Sequence, residues 1–232
     1  MNLLMFDIDG TLTETTAIDA VLYVQAVKES LNVNEIDMNW DRYRNATDPG
    51  IATEIIEEKL GRSATAQDLD DIRKNFANMV QAKVSQEPGH FHEIAGAKTI
   101  LAELAFLPNV IIAIATGTWK EIALLKLATA FPALPEVAIA TASDALSREE
   151  IMRTAEKRAL AKVENAPLDS IVYVGDAVWD VRAAFKIGYQ FIGVGTGKTA
   201  TELRNEGATW VIPDYSDKQG FFTILEKIWN AR

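Results

Sequence analysis

Short, continuous apolar runs alternate with longer amphipathic segments over most of the chain after residue 95. The apolar runs are too short for helices, and we predict buried strands at 110–115, 137–140, 171–174, 191–194 and 210–212. Apolar residues at helical spacing predict intervening helices at 100–107, 121–129 and 148–162. This alternation is typical of an α/β fold, a doubly wound parallel sheet covered by helices on both faces. Ligands bind such sheets beyond the carboxyl ends of the strands.

The first apolar run, residues 3–6, ends in two carboxylates, Asp7 and Asp9, with Ile8 between them. Side chains alternate along a strand, so both carboxylates point to one side while Ile8 points into the core. Gly10 then allows a sharp turn. One such carboxylate can coordinate a hard cation and attack an electrophile. The other can coordinate through its backbone carbonyl while its side chain carries a proton. The alternative interpretation is an ordinary acidic turn.

The chain between the first strand and residue 90 has a helical pattern. Thr15 or Thr16 can cap a helix that continues to Leu31, and further helical patterns cover 40–46, 51–60 and 68–84. We therefore predict two domains. An α/β core is formed by residues 1–14 and 90–232, and an inserted helical domain is formed by residues 15–89.

The composition of the 232 residues narrows the class of protein. Hydrophobic residues make up 48%, which is enough for a buried core. The formal net charge of -10 disfavours nucleic acid and anionic membranes as partners. The absence of cysteine excludes disulfides, thiolate metal sites and a cysteine nucleophile. No apolar stretch reaches the roughly 18 residues of a membrane span, and the first strand leaves no room for a signal peptide, so we expect a cytoplasmic protein.

Polar residues also follow later strands. Thr116 and Gly117 end one strand and precede a helix, so a hydroxyl and the N–H groups of a helix N-terminus would face one edge, which suits a phosphate. An ordinary helix cap explains the same two residues. Asp176 and Asp180 follow another strand and lie on one face of a starting helix. Their favourable interaction with the helix dipole is the alternative explanation.

A cation, Arg148, occupies the first turn of the helix that Ser147 is predicted to cap, where the helix dipole disfavours positive charge. Two unit charges 4 Å apart interact by about 4 kcal/mol at an effective dielectric constant near 20. A phosphoryl group among Asp7, Asp9 and Asp176 would therefore be repelled unless a divalent cation and a basic side chain lay beside it. Mg2+ suits such oxygen ligands, and Arg148 is the candidate basic side chain.

These motifs resemble those of the haloacid dehalogenase superfamily of phosphohydrolases, in the branch of phosphoglycolate phosphatase and beta-phosphoglucomutase. Residues 7–12 resemble the first motif of the family, residues 116–117 the second and residues 175–180 the fourth. The helical segment after the first motif is similar to the C1 cap domain of the family. The resemblance extends over nearly the whole chain and implies a Rossmann-like core with an inserted helical cap.

The resemblance also implies a role for each matched residue. Asp7 would be the nucleophile that forms an aspartyl-phosphate, and Asp9 would protonate the leaving oxygen and then activate water. Thr116, with the amide that follows it, would hold the phosphoryl oxygens. Asp176 and Asp180 would complete a Mg2+ site together with the Asp7 carboxylate and the Asp9 backbone carbonyl.

The residues expected to contact the substrate are Gly10, Thr11, Thr116, Gly117 and Arg148. The sequence departs from the family at the third motif, which usually supplies a lysine followed by proline. Arg148 stands there instead and can replace the charge but not the ammonium geometry. Lys157 and Lys162 are rivals for this role, although solvent-facing positions suit them better. Ala177 stands where the family often has a serine.

The leading hypothesis is a Mg2+-dependent phosphatase that hydrolyses a small phosphate ester, either phosphoglycolate-like or a sugar phosphate. A phosphomutase of the beta-phosphoglucomutase type is the rival within the family. A non-catalytic binding or regulatory module on the same scaffold is the rival outside it. A dehalogenase is disfavoured because its chemistry has no use for Asp9 or the metal carboxylates. We expect a small-molecule partner, no nucleic acid or membrane partner, and a monomer or homodimer.

Overall fold

The computed structural model describes residues 1–164 and 166–230. The strands are β1 (Asn2–Phe6), β2 (Val110–Ala115), β3 (Ala138–Ala140), β4 (Ser170–Gly175), β5 (Gln190–Val194) and β6 (Trp210–Ile212). Within the described residues they form one parallel sheet in the order β3-β2-β1-β4-β5-β6. The predicted α/β fold with a doubly wound parallel sheet is confirmed.

Helices within the described residues cover both faces of this sheet and also form a separate unit. They are α1 (Thr16–Leu31), α2 (Asp48–Leu60), α3 (Ala66–Gln86), α4 (Ala97–Ala105), α5 (Lys120–Ala130), α6 (Arg148–Ala161), α7 (Val178–Lys186), α8 (Gly197–Asn205) and α9 (Lys218–Asn230). Helices α4, α5 and α9 pack on one face, and α6, α7 and α8 pack on the other. None of the helices in the described ranges is long and apolar enough to cross a membrane.

The central strand β1 shows why its sequence is continuously apolar. Leu4 and Phe6 point to one face of the sheet, Leu3 and Met5 point to the other, and all four side chains are fully buried. Hydrogen bonding to β2 on one side and β4 on the other satisfies the backbone. Burial on both faces removes the alternation of polar and apolar residues that a half-exposed strand would show.

Helices α1, α2 and α3, called the helical unit below, form an apolar cluster of their own. Its aromatic side chains include Tyr23 and Phe76, whose ring centroids are 5.4 Å apart. Trp119 and Ile122, at the start of α5, belong to the same cluster. The helical unit therefore packs against the start of α5, at the carboxyl edge of the sheet.

The prediction of a helix at 40–46 is wrong. A single 3-10 turn forms at Trp40–Arg42, and the chain then extends. Backbone groups that a helix would need are used by other parts of the protein. Arg44 N donates to a side chain of α2, and the Ala46 carbonyl accepts from Arg148 Nε at 3.1 Å. Tertiary contacts have overridden the local helical pattern.

Side-chain caps fix where two helices begin beside the sheet edge. Thr47 Oγ1 accepts from Gly50 N at 3.3 Å, so α2 begins at Asp48, earlier than predicted. Ser147 caps α6 as predicted, because its Oγ accepts from a backbone N–H of the first turn. Both caps place a charged residue, Asp48 or Arg148, in a first helical turn.

Candidate active site

Three strands end in polar residues at the same edge of the sheet. Asp7 follows β1, Thr116 follows β2 and Asp176 follows β4, and β1 lies between the other two strands. Asp7 N extends the strand ladder by donating to Val174 O at 3.0 Å. Asp7 and Thr116 are 3% and 2% exposed as whole residues. These strand ends therefore form the buried floor of a site.

An acidic cluster is formed by Asp7, Asp176 and Asp180. One carboxylate oxygen from each residue lies within 4.8 Å of the others. Asp7 Oδ1 is buried and accepts no hydrogen bond from the described residues. A buried carboxylate oxygen without a donor is costly unless a cation meets it. Because all the available donor atoms are oxygens, the cluster fits a hard cation such as Mg2+.

Gly10 is the residue that lets the turn after β1 lie against Asp176. Its φ is +72°, and an added Cβ would lie 2.0 Å from Asp176 Oδ2. No other residue type fits this combination of left-handed backbone and contact. The glycine of the first motif thus keeps the turn after β1 in contact with the acid that follows β4.

Arg148 reaches the acidic cluster from the first turn of α6. Its Nη1 donates to Asp180 Oδ1 at 2.6 Å and lies 3.4 Å from Asp7 Oδ2. Its Nε donates to the carbonyl of Ala46, which precedes α2. These contacts account for a cation at an unfavourable helix end. Gly117 gives this arginine room, since a Cβ there would lie 2.9 Å from Arg148 Nη2.

The acidic cluster shifts the titration of its members. Burial raises the pKa of Asp7, with Arg148 opposing the rise and Asp9 adding to it. Burial raises the pKa of Asp176 well above its ordinary value, and the charges of Asp180 and Asp7 raise it further. Burial also raises the pKa of Asp180 to about 7, against the attraction of Arg148. Acids crowded in this way favour either a bound proton or a divalent cation.

The N-terminus of α5 differs from the prediction of free N–H groups that face a phosphate. Asp48 Oδ2, from the helical unit, accepts from Trp119 N at 3.0 Å and from Thr118 Oγ1 at 2.5 Å. A protein carboxylate thus occupies the position that would attract an anion. Thr116 and Gly117, which follow β2, line the same cavity as Asp7 and Asp176.

A cavity of about 110 Å³ lies between the sheet edge and the helical unit. Its sheet side includes Asp7, Asp9 and Thr116. Its helical side includes Asp19, Tyr23, Trp40, Asp48 and Ile51. A phosphoryl group with a small leaving group fits a space of this size. A molecule bound there would contact both the sheet side and the helical unit.

Asp9 is held by a lysine that was not singled out from the sequence. Lys126 Nζ donates to Asp9 Oδ1 at 2.7 Å and to Asp9 Oδ2 at 2.8 Å. Lys126 also pairs with Asp19 of α1. A signal was present: in α5, Lys126 follows the buried Ile122 by one helical turn, so a charge stands on an apolar helix face.

Several predicted residues lie outside the cavity wall. Gly10 and Thr11 are not among the described residues that line the cavity. Thr11 Oγ1 is buried and has no hydrogen-bond partner among the described residues. Lys157 is exposed, and Lys162 pairs with Glu136. Of the basic residues considered for the third motif, Arg148 is the one placed at the acidic cluster.

The fold and this cavity define an α/β protein with an acidic, arginine-bearing site at the carboxyl edge of a parallel sheet. Residues 4–194 match the family of haloacid dehalogenase-like hydrolases, and the chain belongs to that family. The protein is therefore an enzyme of a hydrolase family, as the motifs predicted. A search of curated protein sequences gave no match.

Solved structures resemble the chain over almost its full length. A hydrolase from Pseudomonas syringae is 21% identical with a TM-score of 0.72, covering 97% of this chain and 99% of that one. A protein from Bacteroides vulgatus, provisionally assigned as a beta-phosphoglucomutase, is 18% identical with a TM-score of 0.71, covering 99% and 90%. A predicted phosphoglycolate phosphatase from Haemophilus somnus is 16% identical with a TM-score of 0.65, covering 95% and 97%. Identities this low establish the shared fold.

Proposed function

We propose that the protein is a Mg2+-dependent phosphatase that hydrolyses a small phosphate ester through an aspartyl-phosphate on Asp7. The observation that carries this proposal is the environment of Asp7. One of its oxygens is buried without a hydrogen bond from the described residues, and the other lies 3.4 Å from a guanidinium nitrogen of Arg148. The free oxygen suits a cation, and the guanidinium suits a phosphoryl group.

The acidic cluster would hold the metal ion. Asp7, Asp176 and Asp180 supply the carboxylate oxygens, and the backbone carbonyl of Asp9 would complete the protein ligands. Asp180 has the additional task of orienting Arg148 through its 2.6 Å contact. When bound, Mg2+ supplies positive charge that offsets the repulsion between these carboxylates and a phosphoryl dianion.

The side chains support a two-step reaction. Asp7 attacks phosphorus, the ester P–O bond breaks, and Asp9 gives a proton to the leaving oxygen. Asp9 then takes a proton from a water molecule, whose oxygen attacks the phosphorus and releases phosphate from Asp7. Arg148 and Thr116 would contact the phosphoryl oxygens in both steps, where charge on those oxygens must be stabilised. We further propose that the inserted residues 15–89 act as a cap that excludes bulk water.

The cavity wall favours one kind of substrate over another. Among the described residues that line it, Arg148 is the only lysine or arginine, and it already contacts Asp7 and Asp180. Asp19 and Asp48 add negative charge on the helical side. A carboxylate in the leaving group, as in phosphoglycolate, would find no cationic partner there. The wall therefore supports a hydroxylated leaving group, as in a small sugar phosphate.

Hydrolysis of p-nitrophenyl phosphate with and without Mg2+ tests the proposed function. The parent should turn over in a Mg2+-dependent manner, and Asp7→Asn should abolish turnover. Absence of metal-dependent turnover by the parent would instead favour a non-catalytic binding module. Turnover that survives Asp7→Asn would rule out the covalent mechanism. A panel of sugar phosphates, with phosphoglycolate as the charged comparison, would then test the substrate class.

A phosphomutase differs from a phosphatase only in the acceptor of the second step. The helical unit already contacts the sheet side closely, since Asp48 N donates to Gly117 O at 2.8 Å and Thr47 Oγ1 donates to Leu146 O at 2.9 Å. Such closure would limit the access of water to the site. A mutase requires that water be kept away from the phosphorylated residue. Isomerisation of a hexose phosphate without release of inorganic phosphate would identify the mutase, and release of phosphate alone would identify the phosphatase.

A further inference from the structure

Lys126 is a fully buried lysine in α5 whose ammonium group contacts two carboxylates. Both oxygens of Asp9 accept from its Nζ, at 2.7 and 2.8 Å, and Asp19 pairs with the same nitrogen. Thr15 Oγ1 donates a third hydrogen bond to the Asp9 carboxylate. Because donors converge on it from α5 and from the start of the helical unit, the Asp9 side chain is held in one orientation.

A lysine without exposure keeps its charge only when carboxylates face it. Burial by itself lowers the pKa of Lys126, but the charges of Asp19 and Asp9 raise it above its ordinary value. Replacing a buried ion pair with apolar residues is often neutral or stabilising, so stability alone is a weak reason for this arrangement. The contact with Asp9, proposed above to exchange a proton with the leaving oxygen, suggests a functional reason.

The second partner of Lys126 links this contact to the helical unit. Asp19 lies in the first turn of α1. The segment before α1 is tied to Asp9 as well, since the hydroxyls of Thr13 and Thr15 are 2.6 Å apart and Thr15 reaches the Asp9 carboxylate. Lys126 therefore bridges a helix of the core, the acid at the sheet edge and the first helix of the helical unit.

We propose that Lys126 is a positioning residue that fixes the Asp9 carboxylate for proton exchange with the leaving oxygen, with Asp19 holding the same ammonium group from the helical unit. This inference rests on the proposed phosphatase function. It assigns no contact between Lys126 and the substrate, because Lys126 lies behind Asp9 and is not among the described residues that line the cavity. Its effect must therefore appear in the step that Asp9 performs.

Two aryl phosphates of similar shape separate this role from a general loss of structure. p-Nitrophenolate leaves readily without a proton, whereas phenolate leaves poorly and depends more on a general acid. In Lys126→Met, kcat/KM for phenyl phosphate should fall about 10-fold more than kcat/KM for p-nitrophenyl phosphate, because kcat/KM reports the step in which the leaving group departs. Asp9→Asn should show the same selectivity to a greater degree. Lys120→Met, which removes an exposed lysine from the same helix, should change neither rate.

A second variant and a metal-free measurement cover the case in which Lys126→Met folds poorly. Asp19→Asn keeps the contact between Lys126 and Asp9 but removes the carboxylate that shares the ammonium. It should lower kcat/KM for phenyl phosphate selectively by a smaller factor. In metal-free protein, either variant should speed amide hydrogen exchange in residues 13–19 relative to Lys120→Met.

The outcomes distinguish failure of this inference from failure of the proposed function. An active parent whose Lys126→Met and Asp19→Asn variants lose both aryl phosphates equally, with unchanged exchange in residues 13–19, would overturn the positioning role and leave the phosphatase intact. An inactive parent on both aryl phosphates, despite bound Mg2+, would instead overturn the function on which the inference rests. Selective loss on phenyl phosphate, with faster exchange in residues 13–19, supports the role of Lys126.

Discussion

The two sides of the cavity are built by different means. On the sheet side, Asp7, Thr116 and Asp176 owe their positions to the order of three adjacent strands. On the helical side, Asp19 and Asp48 owe theirs to side-chain contacts that cross between α5 and the helical unit. Strand order is set by the whole fold, whereas such contacts depend on single residues. The sheet side is therefore expected to perform the chemistry, and the helical side to choose the substrate and control water.

The largest expected effect belongs to the sheet side. Asp7→Asn keeps the shape of the residue but removes the nucleophilic charge, so kcat on p-nitrophenyl phosphate should fall by at least about 1,000-fold. Circular dichroism should show an intact fold, and relief of the crowded acids should leave the thermal midpoint unchanged or raised. Comparable activity in parent and variant would contradict the view that the sheet side performs the chemistry while the helical side chooses the substrate.

The next effect tests how tightly the sheet side is built. Gly10→Ala forces alanine into φ +72° and places a Cβ 2.0 Å from Asp176 Oδ2. The backbone alone costs about 1–3 kcal/mol, and displacement of Asp176 should reduce kcat by about 100-fold. Gly61→Ala is the matched control, since its φ is +64° and no atom lies within 4 Å of the added Cβ. Equal kcat in the two variants would show that the contact with Asp176 does not matter.

A smaller effect is expected from the residue that joins the two sides. Arg148→Lys retains the positive charge but cannot contact Asp180, Asp7 and the Ala46 carbonyl together. We expect roughly a 10-fold loss in kcat/KM on p-nitrophenyl phosphate. Arg158→Lys, which alters an arginine on the same helix that pairs with Asp144, should have no effect on kcat/KM. If Arg148→Lys kept full activity, charge alone would suffice at the third motif.

The smallest effect on catalysis is expected on the helical side, where the prediction is a pH dependence of stability. Burial raises the pKa of Asp48 to about 6 from an ordinary value of 3.8, against the hydrogen bond from Thr118. The folded protein therefore binds this proton more tightly than the unfolded chain, and stability falls as pH rises from 3.8 to about 6. Asp48→Asn can still accept from Trp119 and Thr118.

Thermal unfolding of the parent and Asp48→Asn across this pH range measures the effect. Above pH 6 the thermal midpoint of the variant should gain about 6–12 °C relative to the parent, compared with the difference below pH 3.8. A constant difference between the two proteins at every pH would show that Asp48 titrates alike in the folded and unfolded chain. It would also contradict the view that burial destabilises the charged form of Asp48 on the helical side.

The sheet side was accessible from the sequence because its signals are local. Asp7, Asp9 and Gly10 directly follow an apolar run, and Arg148 stands where a helix dipole disfavours a cation. Such signals predicted the parallel sheet, the family and the placement of polar residues at strand ends. A strand-end motif needs only the alternation of side chains and the adjacency of parallel strands to be interpreted correctly.

The helical side was not accessible because its residues acquire their role only when distant segments dock. Asp48 lies before the helix predicted at 51–60 and was not among the predicted site residues, yet its carboxylate accepts from Trp119 N at the start of α5. Residues 40–46 had a helical pattern, yet their backbone groups are used by Arg148 and by α2. Lys126 gave a signal, a charge on an apolar face, but the sequence could not reveal that its partners are Asp9 and Asp19.

Trapping the phosphorylated residue tests the central claim most directly. Asp9→Asn should slow attack by water while p-nitrophenolate still leaves, so the intermediate should accumulate with Mg2+ and p-nitrophenyl phosphate. Acid quenching and borohydride reduction convert an aspartyl-phosphate to homoserine, which mass spectrometry locates in the sequence. The account predicts homoserine at Asp7, in a Mg2+-dependent yield. Turnover with homoserine at another residue, or at none, would contradict it.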